Sequence, residues 1–280
     1  VKFHGYDPAD AMIELIPDSS DELVSIDNIK NILETQGNEI ALILIGGVNY
    51  YTGQLYDIKT ITQLGHAHGC VVGFDLAHAA GNIDLHLHED GPDFAAWCSY
   101  KYLNSGPGSL SGCFVHERHH HSDLPRFAGW WGHDKATRFL MGDEFQPIQT
   151  AEGWQLSNPP VLSMAAIRAS LDLFAEAEID RLRSKSVKLT AYLADLLAEI
   201  HDENIKIITP SDPTSRGCQL SIQMIKPDKK LFNYLTENGV IADWREPDVI
   251  RVAPVPMYNS FEDVWQFCRI LKDGLSHLKA

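Results

Sequence analysis

Two side chains of complementary chemistry stand at the ends of apolar runs. Asp75 closes "CVVGFD" (70–75), His78 follows it in "FDLAHAAGN", and Lys101 stands in "WCSYKYLNSGPGSLSG", between an apolar run and a glycine-rich loop. Lys101 is the one lysine or arginine between Thr60 and Glu117. In an apolar surround a lysine can have its pKa depressed by desolvation, as a Schiff-base nucleophile needs. The stretch from 75 to 101 leaves room for a loop and one further strand, so both side chains can reach the same end of one sheet. An amine and a carboxylate facing one pocket suit pyridoxal phosphate, the amine binding the aldehyde and the carboxylate pairing with the ring nitrogen. At about 4 Å and an effective dielectric of about 20 that pair is worth roughly 4 kcal/mol, or about three pKa units. The ring then stays protonated at neutral pH and can serve as an electron sink. A solvated loop lysine and a turn-capping aspartate fit the same spacing, and at this point both readings stand.

The elements that would position these groups follow from the hydrophobic pattern. "IALILIGGV" (40–48) reads as a buried strand; Asp57 then caps a helix with Ile58, Ile61 and Leu64 on one face, ending at Gly69. "CVVGFD", "DFAAWCSY" (93–100) and "GCFVHE" (112–117) read as further strands between Gly, Pro and polar turns. Strand and helix alternate at first and strands later follow one another closely, which predicts a mainly parallel sheet flanked by helices, with an antiparallel member. Two prolines in "SNPP" mark a boundary, giving a cofactor-binding region over 1–159 and a second region over 160–280. The second opens with about forty residues of helical pattern, read as a broken or bent connector. Strands at "IKIITP", "GCQLSIQM" and "DVIRVAPVP" and helices at 229–237 and from Phe261 complete a small C-terminal α+β unit.

Bulk composition narrows the partners. The 280 residues carry 23 Lys plus Arg against 38 Asp plus Glu, a net charge of −15 that opposes binding to nucleic acid or anionic membrane. No run approaches the roughly 18 apolar residues of a membrane span. The five cysteines form no C-x-x-C pair and sit mostly in apolar runs, as expected of thiols packed in a reducing, cytoplasmic setting. "HERHHH" (116–121) and "HLH" (86–88) raise a zinc hypothesis, but they lack an H-E-x-x-H pattern and a distant third ligand, so no metal is expected.

"FDLAHAAGN", "CSYKYLNSGPG", "GWWGH", "RFLMGDEFQP", "LSNPP", "RGCQLSI" and "IRVAPVPMYNSFEDV" together resemble the kynureninase family over nearly the whole chain. These are fold type I pyridoxal phosphate enzymes that hydrolyse kynurenine or 3-hydroxykynurenine to the anthranilate and alanine, in tryptophan catabolism and NAD biosynthesis. The resemblance implies that Lys101 holds the cofactor, Asp75 pairs with its ring nitrogen, His78 sits beside the ring and Tyr100 binds the phosphate and can relay protons. It further implies a homodimer with shared sites, Trp130 and Asn158 reaching the phosphate side of the neighbouring subunit's site, and Arg251 clamping the substrate carboxylate. Without the resemblance, Trp130 reads equally as an interface aromatic, Asn158 as a turn residue, Arg251 as a surface ion pair and His78 as a core histidine.

Two departures are legible. Gly46 stands where the family usually has a serine, so backbone N–H groups of Gly46 or Gly47 would have to replace one phosphate contact. Family members also carry a further N-terminal portion that supplies phosphate and ring contacts. The chain as given is therefore expected to bind the cofactor weakly and turn over slowly. The competing expectations are a catalytically silent fragment that pairs with longer chains, and another fold type I enzyme such as a cysteine desulfurase or aminotransferase.

Overall fold

The structure, a computed structural model, describes residues 1–17 and 22–278. Its first sheet has the order β1 (Leu42–Gly46), β2 (Val71–Asp75), β3 (Phe94–Cys98), β4 (Ser111–Val115). The first three strands run parallel and β4 returns antiparallel to β3, matching the expected mainly parallel sheet with one reversed member. Helices α1 (Pro8–Ala11), α2 (Ile26–Gln36), α3 (Ile58–Ala67) and α4 (Leu87–Asp90) lie between and before the strands. The Asp57 carboxylate accepts from the Thr60 N–H at 2.9 Å, so α3 starts where the sequence placed its cap. Ile61 on α3 and Ile29 and Leu33 on α2 bury against Val72, Phe74 and Ala95. Each such side chain, taken fully out of water, contributes about 1.5–3 kcal/mol.

The run at 40–48, read from the sequence as a buried strand, forms β1 but is open on one side: Leu44 is 62% exposed, and Leu42 and its neighbour Val71 are exposed as well. β1 is an edge strand, and α2 and α3 pack on one face of the sheet, so alternate residues turn toward solvent. Cys113 on β4 lies on that open face and is exposed, unlike the buried Cys70, Cys218 and Cys268.

The connector is broken, as its length suggested: α5 (Val161–Ala177) and α6 (Ile179–Ile200) meet at Glu178, whose φ is 61°. The second sheet is antiparallel throughout, with order β5 (Ile205–Ile207), β6 (Leu220–Met224), β8 (Val249–Val252), β7 (Asp243–Arg245). The three-residue β7 has no apolar run to announce it and was not expected. Helices α7 (Lys230–Glu237) and α8 (Phe261–His277) pack with α6 on this sheet around Leu193, Leu220, Ile222, Leu231, Ile250 and Leu271. A reciprocal cap between Ser260 and Asp263 starts α8.

Buried Asp93 ties the entry ends of β2 and β3 together. Its Oδ2 accepts from the Val72 N–H at 2.7 Å and meets His66 Nε2 at 2.9 Å, while Oδ1 meets His119 Nε2 at 2.7 Å and Arg118 Nη1 at 3.1 Å. Burial by itself raises the Asp93 pKa, but the hydrogen bonds from Val72, His66 and His119 outweigh it and hold the carboxyl down at about 2. His116 stacks on His88 with ring centroids 5.3 Å apart, and His120 Nε2 lies 3.2 Å from the Val115 carbonyl.

Candidate active site

The opposite, C-terminal ends of β2 and β3 carry the groups singled out in the sequence. In open parallel sheets this is the end at which ligands bind. Asp75 is the last residue of β2; its side chain is solvent-accessible, and Oδ1 accepts from the Ala77 N–H at 2.8 Å, fixing the carboxylate at the mouth of the turn that follows. That turn, 76–83, is anchored by buried Leu76, Ala79 and Ala80 and places His78 facing the loop after β3. Lys101 lies on that loop, and its Nζ is 3.0 Å from His78 Nε2.

Local sequence explains the juxtaposition. Gly81 has φ +80°, and a Cβ there would lie 2.8 Å from the carbonyl of Tyr102, so only glycine lets the 76–83 turn rest directly on the backbone beside Lys101. The Lys101 loop is closed by serines: Ser105 donates to the Ser99 carbonyl at 2.6 Å, Ser99 donates to Leu110, and Ser170 of α5 donates to Leu103. Asn82 joins the two sheets, giving its amide to the His78 carbonyl at 2.9 Å and accepting from the Cys218 N–H at 2.8 Å. The serine and asparagine contacts escaped the sequence reading, although "NSGPGSLSG" and the closing Asn82 of "FDLAHAAGN" lie inside the stretches that carried the chemistry.

Charge is concentrated here. Burial, followed by the positive charges of Lys101 and Arg251, pushes the His78 pKa down to about 4; Asp75 opposes this and Arg245 adds to it. His78 is therefore neutral at pH 7. Nε2 accepts from the Lys101 ammonium, which places the ring proton on Nδ1, and Nδ1 is buried without a hydrogen-bond partner. Tyr102 sits edge-on to His78 with centroids 5.9 Å apart, and burial raises its pKa. Arg251, opposite Asp243 in the β7–β8 register, bonds to the Asp243 carboxylate and donates to the Tyr50 carbonyl at 2.8 Å.

His78 and Lys101 thus meet directly and Asp75 heads the turn that carries His78, while Arg251 of β8 is held by Asp243 and the Tyr50 carbonyl. Tyr100, next to Lys101, is 52% exposed, and its pKa is raised by its hydrogen bond to Cys98. Trp130 and Asn158 stand apart. Trp130 packs edge-on against Phe139 at 5.4 Å and Asn158 accepts from Ser157 at 3.3 Å. Among the described residues neither of them stacks on or hydrogen-bonds to Asp75, His78 or Lys101.

The donor set fits pyridoxal phosphate. An amine and an accessible carboxylate flank a neutral imidazole with an unpartnered buried N–H, and two guanidiniums supply positive charge for anionic groups. The Gly47 N–H already donates to the Asp75 carbonyl at 2.8 Å, so it does not supply the phosphate contact expected of it from the sequence.

Comparison with known proteins points the same way. A cysteine desulfurase of Escherichia coli superimposes with a TM-score of 0.77 at 18% identity, covering 94% of this chain and 65% of the other. A C-DES variant with glycine covalently linked to its PLP cofactor superimposes with a TM-score of 0.73 at 17% identity, covering 92% and 65%. The fold is that of the fold type I pyridoxal phosphate enzymes. A family profile described as the kynureninase C-terminal domain matches residues 182–271. The kynureninase of Flavobacterium psychrophilum is 54% identical over 98% of this chain and 66% of its own length, and that of Koribacter versatilis 55% identical over 95% and 63%. The chain belongs to the kynureninase family, and it spans slightly less than two thirds of the length of these relatives.

Proposed function

We propose that this chain carries the cofactor-bearing lysine and much of the amino-acid site of an enzyme that hydrolyses L-kynurenine, or its 3-hydroxy form, to the anthranilate and L-alanine. The observation that carries the reading is the convergence of Lys101, His78 and Asp75 at the ends of β2 and β3, in a chain more than half identical to kynureninases. The desulfurase likeness is at the level of fold, and the cysteines here that are not buried stand on or beside the sheet's open face. Homodimerisation, with Trp130 and Asn158 serving a neighbouring site, belongs to the same proposal; it suits the exposure of Trp130 and Phe139.

Lys101 would hold pyridoxal phosphate, which when bound would supply an electron sink for the carbon next to the substrate's amine. Asp75 would hold a proton on the ring nitrogen through its accessible carboxylate. Lys101 Nζ would be the base for the proton on that carbon, and positioned proton transfer of this kind contributes about 10² to 10⁴ in rate. His78, neutral at pH 7, receives the Lys101 N–H at Nε2 without adding a competing positive charge. Tyr100 would anchor the phosphate and relay a proton from its hydroxyl. Arg251 would orient the substrate carboxylate, work that suits a planar fork of donors.

The test supplies L-kynurenine to protein saturated with pyridoxal phosphate and measures anthranilate by fluorescence and alanine by stoichiometry. Equimolar products that vanish in Lys101→Ala support the reading. Alanine and sulfide from cysteine, with no anthranilate from kynurenine, would sink it.

A further inference from the structure

The turn that carries His78 is tethered to the second unit through one side chain. Its own main-chain bonds close on the Leu76 and Ala79 carbonyls, from Ala79, Ala80, Asn82 and Ile83. The His78 carbonyl is taken instead by the Asn82 side-chain N–H at 2.9 Å, and the Asn82 amide oxygen accepts from the Cys218 N–H at 2.8 Å. A carbonyl can only accept and a backbone N–H can only donate, so these two partners fix which way the amide faces. Asn82 is 3% exposed, and Cys218 stands just before β6. The stretch that holds it is itself anchored: Gln219 Nε2 donates to the Tyr50 carbonyl at 3.2 Å, Ser221 donates to the Tyr51 carbonyl, and Cys218, Gln219 and Ser221 are fully buried.

We propose that Asn82 is a positioning residue that transmits the placement of the second unit's 217–219 segment to the His78 turn and so keeps the imidazole against Lys101. What the His78–Lys101 contact does for catalysis rests on the proposed function, to whose residues this adds Asn82 and Gly217.

Three observations carry it. Both amide bonds run to main chain, one in each unit, so a shift of Cys218 cannot be absorbed by a partner side chain changing rotamer. The space around the amide is taken: a Cβ on Gly217 would lie 2.3 Å from Asn82 Nδ2 and 2.7 Å from its Cγ and Oδ1, while Gly217 is not among the glycines with positive φ. Glycine is thus required at 217 by the Asn82 side chain and not by the backbone. On its other side the turn rests at Gly81 on the Tyr102 backbone, so His78 lies between a contact surface and a tether, and the 3.0 Å approach to Lys101 depends on both. A misplacement of about 1 Å at a reacting contact costs on the order of 10² in rate. A buried asparagine that only completed its own turn would not spend its acceptor on a residue 136 positions away.

The experiment follows the His78 titration by NMR in the full chain, for wild type, Asn82→Ala, Gly217→Ala, the double variant, and Leu271→Ala, a deletion in the core of the second unit. All the substitutions are neutral, so none adds a charge near the imidazole. The wild-type midpoint is expected near 4, set by burial and by the charges of Lys101, Arg251 and Arg245 against Asp75. Asn82→Ala and Gly217→Ala should each raise it by about one pH unit or more, as the ring moves away from Lys101 and toward water. The double variant should rise no further than Asn82→Ala, because the new Cβ at 217 then has no amide to displace. Leu271→Ala should lower the urea midpoint and leave His78 where it is. Unmoved midpoints in folded Asn82→Ala and Gly217→Ala, rises that add in the double variant, or an equal rise in Leu271→Ala would overturn the proposal. If Asn82→Ala does not fold, Gly217→Ala against Leu271→Ala decides: a rise in the first alone supports the tether, and no rise overturns it. The titration needs neither cofactor nor kynurenine, so the two readings fail separately. An unmoved midpoint with anthranilate formed by the wild type fails the positioning role alone, and the expected shifts with no anthranilate fail the proposed function alone.

Discussion

Asp93→Asn removes one charge from the end of the sheet far from the site and keeps the side chain's size. In the folded protein the Asp93 carboxyl is held at about 2 against an ordinary value of 3.8, and its side chain is only 8% exposed. At 1.36 kcal/mol per pKa unit this amounts to about 2 kcal/mol of stability at neutral pH. The asparagine also leaves His66, Arg118 and His119 sharing a single neutral acceptor, so a total loss of about 2–4 kcal/mol is expected. Because the folded pKa is depressed, the stabilisation is fully present above about pH 4 and is lost as pH falls toward 2. Urea unfolding of both proteins, with equal slopes, reads the difference from the midpoints. A difference below about 1 kcal/mol at pH 7, or one that does not shrink between pH 5 and pH 2, would refute the assignment.

Gly81→Ala forces a Cβ against the Tyr102 carbonyl; it should cost about 2 kcal/mol or more and separate His78 from Lys101, which raises the His78 titration midpoint seen by NMR. In the unaltered protein that midpoint should lie near 4, and Lys101→Met should move it upward by removing a positive neighbour. Since the His78 pKa is depressed on folding, its contribution to stability should fall as pH drops from about 6.5 to about 4, measured as the pH dependence of the urea midpoint in His78→Gln against wild type. Leu44→Lys on the open sheet face should change stability by no more than about 0.5 kcal/mol, whereas Phe74→Ala on the packed face of the adjacent strand should cost about 3–5 kcal/mol.

The parallel sheet and the capped helix α3 were legible because apolar runs of strand length and an Asp-initiated helical period are local signals. Asp75 and Lys101 were legible for the same reason, as charged groups at the ends of such runs. The open face of β1 was not, since a run of apolar residues has the same appearance whether one or both of its sides are covered. β7 was hidden by its length, and with it the pairing of Asp243 with Arg251, which arises from cross-strand register that no single segment encodes. Gly81 and Asn82 were present in a quoted motif, but what they do depends on backbone more than 20 residues away at Tyr102 and more than 130 away at Cys218. The placing of Trp130 and Asn158 came from resemblance, and their present contacts stay within their own segment.

The most direct test of the central claim is borohydride reduction of the protein after addition of pyridoxal phosphate, with the labelled peptide mapped by mass spectrometry. A single label on Lys101, carried by a chromophore that reduction bleaches and that Asp75→Asn weakens, is the expected result. A label spread over surface lysines such as Lys135 and Lys230, with Lys101 unmodified in folded protein, would contradict it.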